Sequence, residues 1–155
     1  MNIASLLPVD QILCNPEANS KKRALEILAS LLAKSSPDLS EEEIFDGLLK
    51  RERLGTTGLG RGVAIPHTRL ANLTSPTIAM IKLERGIDFD APDQAPVDIL
   101  FALAVPAEDN ASHLEILARL AEMLGNREMV TELRNTHHCE ALYQQLAQWQ
   151  PHIAA

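Results

Sequence analysis

The longest apolar run in the chain, residues 97–105, constrains the fold more than any other stretch. It is interrupted only by Asp98, and residues 77–83 form a shorter run with β-branched members. Apolar residues that follow one another without alternation are typical of strands covered on both faces. We therefore expect an α/β sandwich. A buried helix has the same pattern, so the period alone leaves that alternative open.

Two amphipathic helices are predicted before these runs. After Ser20, apolar side chains recur every three or four residues. Ser40 and Glu43 have the spacing of a capping box, which predicts a second helix that ends near Leu54. The first turn of the earlier helix carries three cations at residues 21–23, the wrong sign for a helix amino end. We interpret them as a solvated basic patch or, alternatively, as a contact for an acidic partner.

Three further helices are predicted after the apolar runs. Ser112 and Glu115 again have capping-box spacing, so we expect Ser112 as the N-cap and His113 as the first helical residue. Residues 128–134 and 140–150 have the pattern of two more helices.

Three segments have no regular period. Residues 3–14 are expected to form a short edge strand or a packed extended arm. Residues 85–92 are rich in turn formers and predict a loop, with a short hairpin arm as an option. The tail from Pro151 is expected to fray.

A glycine-rich loop precedes the histidine of greatest interest. Four of the seven glycines lie within eight residues, and a backbone without Cβ atoms allows its amide groups to approach a ligand closely. We therefore predict an anion cradle that includes Gly58, Gly60 and Gly62. Pro66 forces extended geometry on the residue before it, so His67 is expected to project from the carboxyl end of a strand.

Positive charge is concentrated around this loop. Residues 50–69 carry a net charge of +4, whereas the whole chain carries −7. Arginine offers planar, paired donors to phosphate oxygens, so Arg51, Arg53 and Arg61 are predicted to bind phosphate. Alternatively, Arg51 and Arg53 only complement the carboxyl end of a helix. The acidic total and the scarcity of aromatic side chains argue against nucleic acid as a partner.

Two histidines are candidates for chemistry. Imidazole is a nucleophile near neutral pH, and phosphoryl transfer needs mainly positioning and positive charge, so His67 is predicted to carry a phosphoryl group. His113, at a helix amino end, is expected to stay neutral and to form a second wall of the phosphate site. The alternatives are a structural histidine at position 67 and an ordinary exposed first-turn residue at position 113.

Metal or cofactor chemistry has little support in the sequence. His137, His138 and Cys139 are adjacent, and no other cluster completes a tetrahedral set, so neither a metal nor a cofactor is expected. Walker, HExxH and GxSxG motifs are absent. Cys14 and Cys139 lack CxxC spacing and are interpreted as small buried apolar groups in a reducing compartment.

The size of the chain predicts one domain. The 155 residues, 46% of them hydrophobic, are enough for one core, and we expect a single domain over 1–155 with its core at about 20–150. The start is a poor signal peptide and no run approaches the length of a membrane span. We therefore expect a cytoplasmic protein without membrane insertion.

The segments RERLGTTG at 51–58 and GVAIPH at 62–67 closely resemble the IIA domains of the bacterial phosphotransferase system, in the fructose, mannitol and nitrogen-regulatory class. Residues 94–106, followed by His113 and Leu114, are similar to the nitrogen-regulatory branch in particular. The resemblance covers about residues 21–145 and implies a mixed sheet with helices on both faces. Two residues depart from the family pattern. Arg61 stands where asparagine is expected, and Thr68 stands where glycine is frequent.

The resemblance also implies a function. It predicts a histidine phosphocarrier with phosphotransferase activity rather than a metabolic enzyme. His67 would take a phosphoryl group from a small HPr-like carrier, with Arg51 and His113 stabilising the group and orienting the ring. The phosphorylation state would then regulate partners such as potassium-uptake systems or sensor kinases. The alternatives are the IIA component of a fructose or mannitol transporter and a module that binds an anion without covalent chemistry.

Overall fold

Five helices and a six-stranded sheet form within residues 2–150, which are the residues that the computed structural model describes. The strands are β1 (Ile12–Cys14), β2 (Gly58–Gly60), β3 (Val63–Ala64), β4 (His67–Leu70), β5 (Thr77–Ile87) and β6 (Val97–Pro106). The helices are α1 (Lys21–Ala33), α2 (Glu41–Leu54), α3 (Asn110–Leu124), α4 (Arg127–Asn135) and α5 (Cys139–Gln148). None of the helices in this part of the chain combines the length and the apolar composition that crossing a bilayer needs. The predicted frayed tail lies outside the described residues.

The sheet is mixed. Its order is β1-β5-β6-β3-β2, and β4 also pairs with β6. β5 runs antiparallel to β6, whereas β1 runs parallel to β5, and β3 and β4 run parallel to β6. Helices α1 and α2 cover one face, and α3, α4 and α5 cover the other. The predicted α/β sandwich is therefore confirmed.

Alternate residues of β6 enter two different cores. Leu100 and Ala102 pack with α1 and α2, whereas Phe101 and Leu103 pack with the helices of the opposite face. All four side chains are fully buried. Because both faces of the strand are covered, neither set of positions has to be polar. The continuous apolar run is thus a central strand and not a helix.

Several predicted boundaries shift. β5 continues to Ile87, which pairs with Val97 of β6, so the predicted loop at 85–92 begins three residues later. The segment 3–14 forms two 3₁₀ turns, Ile3–Leu6 and Val9–Gln11, and then the edge strand β1. Both α4 and α5 begin one residue before the predicted position, and α5 ends two residues early.

The two cysteines contact each other. Cys14 lies on the edge strand and Cys139 begins α5, and their sulfur atoms are 3.5 Å apart although 125 residues separate them. Both are free thiols and half-buried, so their interpretation as buried apolar groups missed the contact. Burial, followed by the neighbouring thiol, raises the pKa of Cys14 to about 11, which keeps this thiol protonated at neutral pH.

Gly47 of α2 packs directly on Thr68 of β4. A Cβ atom at residue 47 would overlap the Thr68 hydroxyl and lie 3.2 Å from its Cβ, and Thr68 is itself buried. In an exposed helix, Gly→Ala ordinarily stabilises by about 1 kcal/mol. Here we expect Gly47→Ala to lower the free energy of unfolding by about 1–3 kcal/mol, because Thr68 already occupies the space that the new Cβ atom needs.

Urea unfolding of a double-mutant cycle checks this prediction. Thr68→Ala removes the hydroxyl that a new Cβ would meet, so adding it to Gly47→Ala should recover a large part of the loss. A Gly47→Ala chain that is as stable as the parent would contradict the packing described.

Candidate functional site

His67 begins strand β4, directly after the Ile65-Pro66 step. Both β3 and β4 run parallel to β6, so the chain pairs with β6 on both sides of this step. The expectation that His67 projects from the carboxyl end of a strand is therefore corrected. β3 ends at Ala64, and His67 is the first residue of the next strand.

A hydrogen bond to a residue two positions earlier in the sequence fixes the His67 ring. Its Nδ1 lies 2.8 Å from the carbonyl oxygen of Ile65. A carbonyl oxygen only accepts, so Nδ1 carries the proton of the neutral ring and donates it. The Nε2 atom then keeps its lone pair. This is the tautomer that a nucleophilic imidazole needs.

His67 lines an open cavity of about 530 Å³, which we call the His67 cavity. The eight lining residues are Lys50, Arg51, Arg53, Leu54, His67, Thr68, Arg69 and His113. Four of them are cationic and none is a carboxylate. The Arg51 guanidinium is held by donating to the carbonyl oxygen of Gly55 at 2.9 Å, at the end of α2. The structure thus brings together four of the predicted site residues: His67, His113, Arg51 and Arg53.

His113 lies opposite His67. The ring centroids are 5.4 Å apart, with 56° between the ring planes. His113 is only 6% exposed, and its Nδ1 is buried with no hydrogen-bond partner within residues 2–150. The prediction of Ser112 as N-cap is wrong: the Asp109 carboxylate accepts from the Ser112 amide at 3.0 Å, and α3 begins at Asn110. His113 is therefore the fourth helical residue.

Arg69 is a further candidate site residue. The sequence indicates it only as one of the cations within residues 50–69. It lines the His67 cavity, and its guanidinium donates to Oδ1 of Asn110 at 2.5 Å. This contact connects β4 to the first residue of α3, the helix that carries His113. Strand periodicity could have found it, because residues i and i+2 share one face of a strand, and Arg69 stands two after His67.

A buried ion pair supports the end of α2. The Glu52 carboxylate, with 2% of its side chain exposed, lies 2.8 Å from Nζ of Lys21. It also accepts hydrogen bonds from the backbone amide and the hydroxyl of Thr57 in the glycine loop. Lys21 lies over the Phe89 ring, 4.6 Å from its centroid. For Lys21, both interpretations made from the sequence are wrong, because this lysine joins α1 to α2.

The predicted anion cradle does not face the His67 cavity. Gly58, Gly60 and Gly62 are not among the residues that line it. Gly60 and Gly62 have φ of 88° and 83°, so they serve the turn between β2 and β3, where a positive φ favours glycine. Arg61 lines a different cavity. The structure does not bring these four residues to His67, and their geometry gives no support for phosphate binding there.

Burial lowers the pKa of both facing imidazoles. For His67, burial is the largest cause; the Ile65 carbonyl opposes it and the Arg51 charge adds to it. For His113, burial again comes first, followed by the charges of Arg69 and His67. The sequence predicts a neutral His113 from the helix dipole. In the structure, the main cause of its lowered pKa is burial.

These lowered pKa values predict a pH dependence of stability. Because the folded protein favours neutral rings, the unfolded chain binds more protons once the pH falls below about 6.5. We expect the contribution of His67 and His113 to the free energy of unfolding to be complete above pH 6.5 and to decline as the pH falls through their folded pKa values. In an NMR titration, both ring midpoints should lie below 6.5, the ordinary value. A midpoint at or above 6.5 would contradict this prediction.

Comparison with known proteins identifies similar chains. Residues 5–149 match the family model described as "Phosphoenolpyruvate-dependent sugar phosphotransferase system, EIIA 2". The nitrogen regulatory protein of Pseudomonas aeruginosa is 43% identical over 144 residues, which are 93% of this chain and 94% of that protein. The fructose-specific EIIA component of Haloferax volcanii is 31% identical over 95% of this chain and 96% of its own length. The crystal structure of nitrogen regulatory protein IIA-Ntr from Neisseria meningitidis has a TM-score of 0.87 at 39% identity, covering 93% and 98% of the two chains.

Proposed function

Because the chain belongs to the EIIA 2 family of the phosphoenolpyruvate-dependent sugar phosphotransferase system, we propose that it is a nitrogen regulatory phosphocarrier. It accepts a phosphoryl group on His67 from the phosphohistidine of a small HPr-like carrier. Its phosphorylation state then regulates partner proteins. The nitrogen regulatory relatives support this branch, since they are 43% and 39% identical to the chain and the fructose-specific relative is 31% identical.

The observation that carries this proposal is the fixed tautomer of His67 in a cationic cavity. With Nδ1 donating to Ile65, the lone pair of Nε2 is available to attack phosphorus. The new N–P bond forms as the N–P bond of the donor breaks, and the donor ring leaves with the electron pair. Positive charge develops on the His67 ring, and the Ile65 carbonyl dipole stabilises it.

The surrounding side chains suit the negative charge of a phosphoryl group. Arg51, Arg53 and Arg69 contribute guanidinium groups to the same cavity, and Lys50 contributes an ammonium group. Phosphoryl transfer depends mainly on positioning and on stabilising charge at the phosphoryl oxygens. In this proposal His113, opposite the acceptor ring, orients it and bounds the other side of the group.

The rim of the cavity suits contact with another protein. Leu54, which lines the cavity, is 84% exposed, and Leu114, which follows His113 in the sequence, is 65% exposed. Exposed apolar side chains beside a charged centre are typical of protein contacts. We assign the HPr-like carrier to this rim, and we expect regulatory targets such as potassium-uptake systems or sensor kinases to recognise the same phosphorylation state.

A phosphotransfer assay tests the proposal. The chain is incubated with phosphoenolpyruvate, the first enzyme of the system and the HPr-like carrier, and its intact mass is then measured. We expect the gain of one acid-labile phosphate that requires all three added components. No gain under these conditions would refute the proposal.

A second candidate, the IIA component of a fructose transporter, is supported by the Haloferax relative. Both candidates predict a phosphorylated His67, so the assay above does not separate them. Complementation of a strain that lacks its fructose IIA component does, with sugar uptake as the readout. Restored uptake favours the transporter component, whereas no restoration by a chain that accepts phosphate in the assay favours the regulatory protein.

Arg51→Ala is expected to slow phosphoryl acceptance about tenfold, the rate equivalent of losing one charge-assisted hydrogen bond. The matched control is Arg53→Ala, which removes a guanidinium from the same helix turn and the same cavity. The resemblance assigns a role at the active histidine to Arg51, so the control should have the smaller effect. Single-turnover transfer rates measure both. Equal losses in the two variants would indicate that only the net charge of the cavity matters.

A further inference from the structure

A second cavity lies far from His67 along the sheet. The Gly62 carbonyl accepts from the Asp98 amide of β6, whereas His67 pairs with Leu103. Five residues of extended strand separate these two points, which is about 16 Å. This second cavity has a volume of about 200 Å³. We call it the Arg61 cavity; its lining residues are Arg61, Leu124, Arg127, Val130, Thr131 and Arg134.

Helix α4 supplies most of this lining from one face. Arg127, Val130, Thr131 and Arg134 stand at positions i, i+3, i+4 and i+7, which align along one side of a helix. Arg61 approaches from the turn between β2 and β3. Three arginines and one threonine therefore line one small space.

Within residues 2–150, two of the three guanidinium charges have no counter-ion. Arg134 pairs with Asp98 through two contacts of 2.7 and 2.8 Å. The guanidinium groups of Arg61 and Arg127 make no ion pair and no hydrogen bond with any other residue of the described segment 2–150. The arginines that line the cavity, together with the paired Asp98, thus carry a net charge of about +2, which a bound anion would balance.

The backbone holds Arg61 in place. Its φ of 56° is left-handed, which costs a residue with a side chain about 1 kcal/mol. Its amide donates to the Asp93 carboxylate at 2.8 Å, and its carbonyl accepts from Arg134 at 3.2 Å. Asparagine, which the family resemblance leads us to expect here, tolerates this backbone better but has no charge. The arginine therefore adds positive charge at a position where it has a conformational cost.

We propose that the Arg61 cavity binds a small phosphate monoester. The dianionic phosphate balances the two uncompensated charges, and arginine presents paired donors that match phosphate oxygens. The volume is below the range of drug-sized pockets, so the ligand is a short molecule. Its carbon part packs on the buried side chains of Leu124 and Val130. This site does not depend on phosphoryl acceptance by His67.

Titration of the full chain with glycerol 3-phosphate tests the proposal, with glycerol and succinate as comparison ligands. NMR follows the Nε–H signals of the arginines, and the concentration dependence of the Arg61 and Arg127 shifts gives Kd for this cavity. We expect glycerol 3-phosphate to shift the signals of Arg61 and Arg127, and glycerol and succinate to bind at least about tenfold more weakly. Arg61→Asn and Arg127→Gln should each weaken binding about tenfold or more.

Arg53→Gln is the matched control, because it removes a guanidinium from the His67 cavity instead. It should leave Kd at the Arg61 cavity unchanged. Arg61→Asn relieves the left-handed backbone, so a loss of binding in this variant cannot be attributed to poor folding, and thermal unfolding checks this. Absence of binding, equal affinity for succinate, or signals that move only around the His67 cavity would each overturn the proposal.

Discussion

Replacing His67 with glutamine is expected to abolish phosphoryl acceptance completely. Glutamine is similar in size and polar, so the cavity keeps its shape, but the lone pair of an amide nitrogen is delocalised into the carbonyl group and does not attack phosphorus. In the phosphotransfer assay, the intact mass of His67→Gln should therefore show no acid-labile phosphate at any time. Because the ring lines an open cavity and belongs to neither hydrophobic core, we expect the variant to stay folded.

The matched control is His137→Gln, which changes an exposed histidine outside the His67 cavity. It should accept phosphate at the parental rate. Persistent labelling of His67→Gln, or loss of labelling in His137→Gln, would contradict the assignment of His67. Unchanged binding and output in His67→Ala would instead favour a module that binds anions without covalent chemistry.

The fold was largely predictable because its central strands are covered on both faces. The run 77–83 belongs to β5 and the run 97–105 to β6, and these two strands form the longest pairing in the sheet. The capping box at Ser40 predicted α2 correctly, since both of its hydrogen bonds are present. In each case the decisive interaction is local or depends only on the burial of a whole segment.

The start of α3 was not predictable in the same way. Asp109 and Ser112 are both good N-cap residues, and Glu115 gave the capping-box spacing to Ser112. In the structure the Asp109 carboxylate accepts a hydrogen bond from the Ser112 amide, so Asp109 is the N-cap. The choice between two competent caps depends on where the preceding strand ends and how the helix packs, and neither is a local property.

The contrast between local and non-local interactions also explains which site residues were predictable. Arg51 and Arg53 lie close to His67 in sequence, and they share its cavity. Sequence proximity predicts that the glycines face the same cavity, but Gly60 and Gly62 form a turn and do not line it. The partner of Glu52 is Lys21, 31 residues away, and no periodicity predicts a pairing of that kind.

This ion pair gives the largest expected change in stability. Lys21→Met keeps most of the apolar stem but leaves the Glu52 carboxylate buried without its cation. We expect the free energy of unfolding to fall by about 3 kcal/mol, since an uncompensated buried charge is strongly destabilising. Urea unfolding measures the loss, and Lys22→Met, at an exposed neighbouring position, is the control that should change little.

The reverse substitution should be milder, which tests the cause. Glu52→Gln leaves a Lys21 side chain that is 21% exposed and still lies 3.5 Å from Asp90, so its charge stays partly solvated and paired. In Lys21→Met/Glu52→Leu no buried charge remains, and part of the stability should return because apolar pairs often replace buried ion pairs without loss. If Glu52→Gln costs more than Lys21→Met, the hydrogen bonds that Glu52 accepts from Thr57 outweigh the ion pair, and the glycine loop depends on those bonds instead.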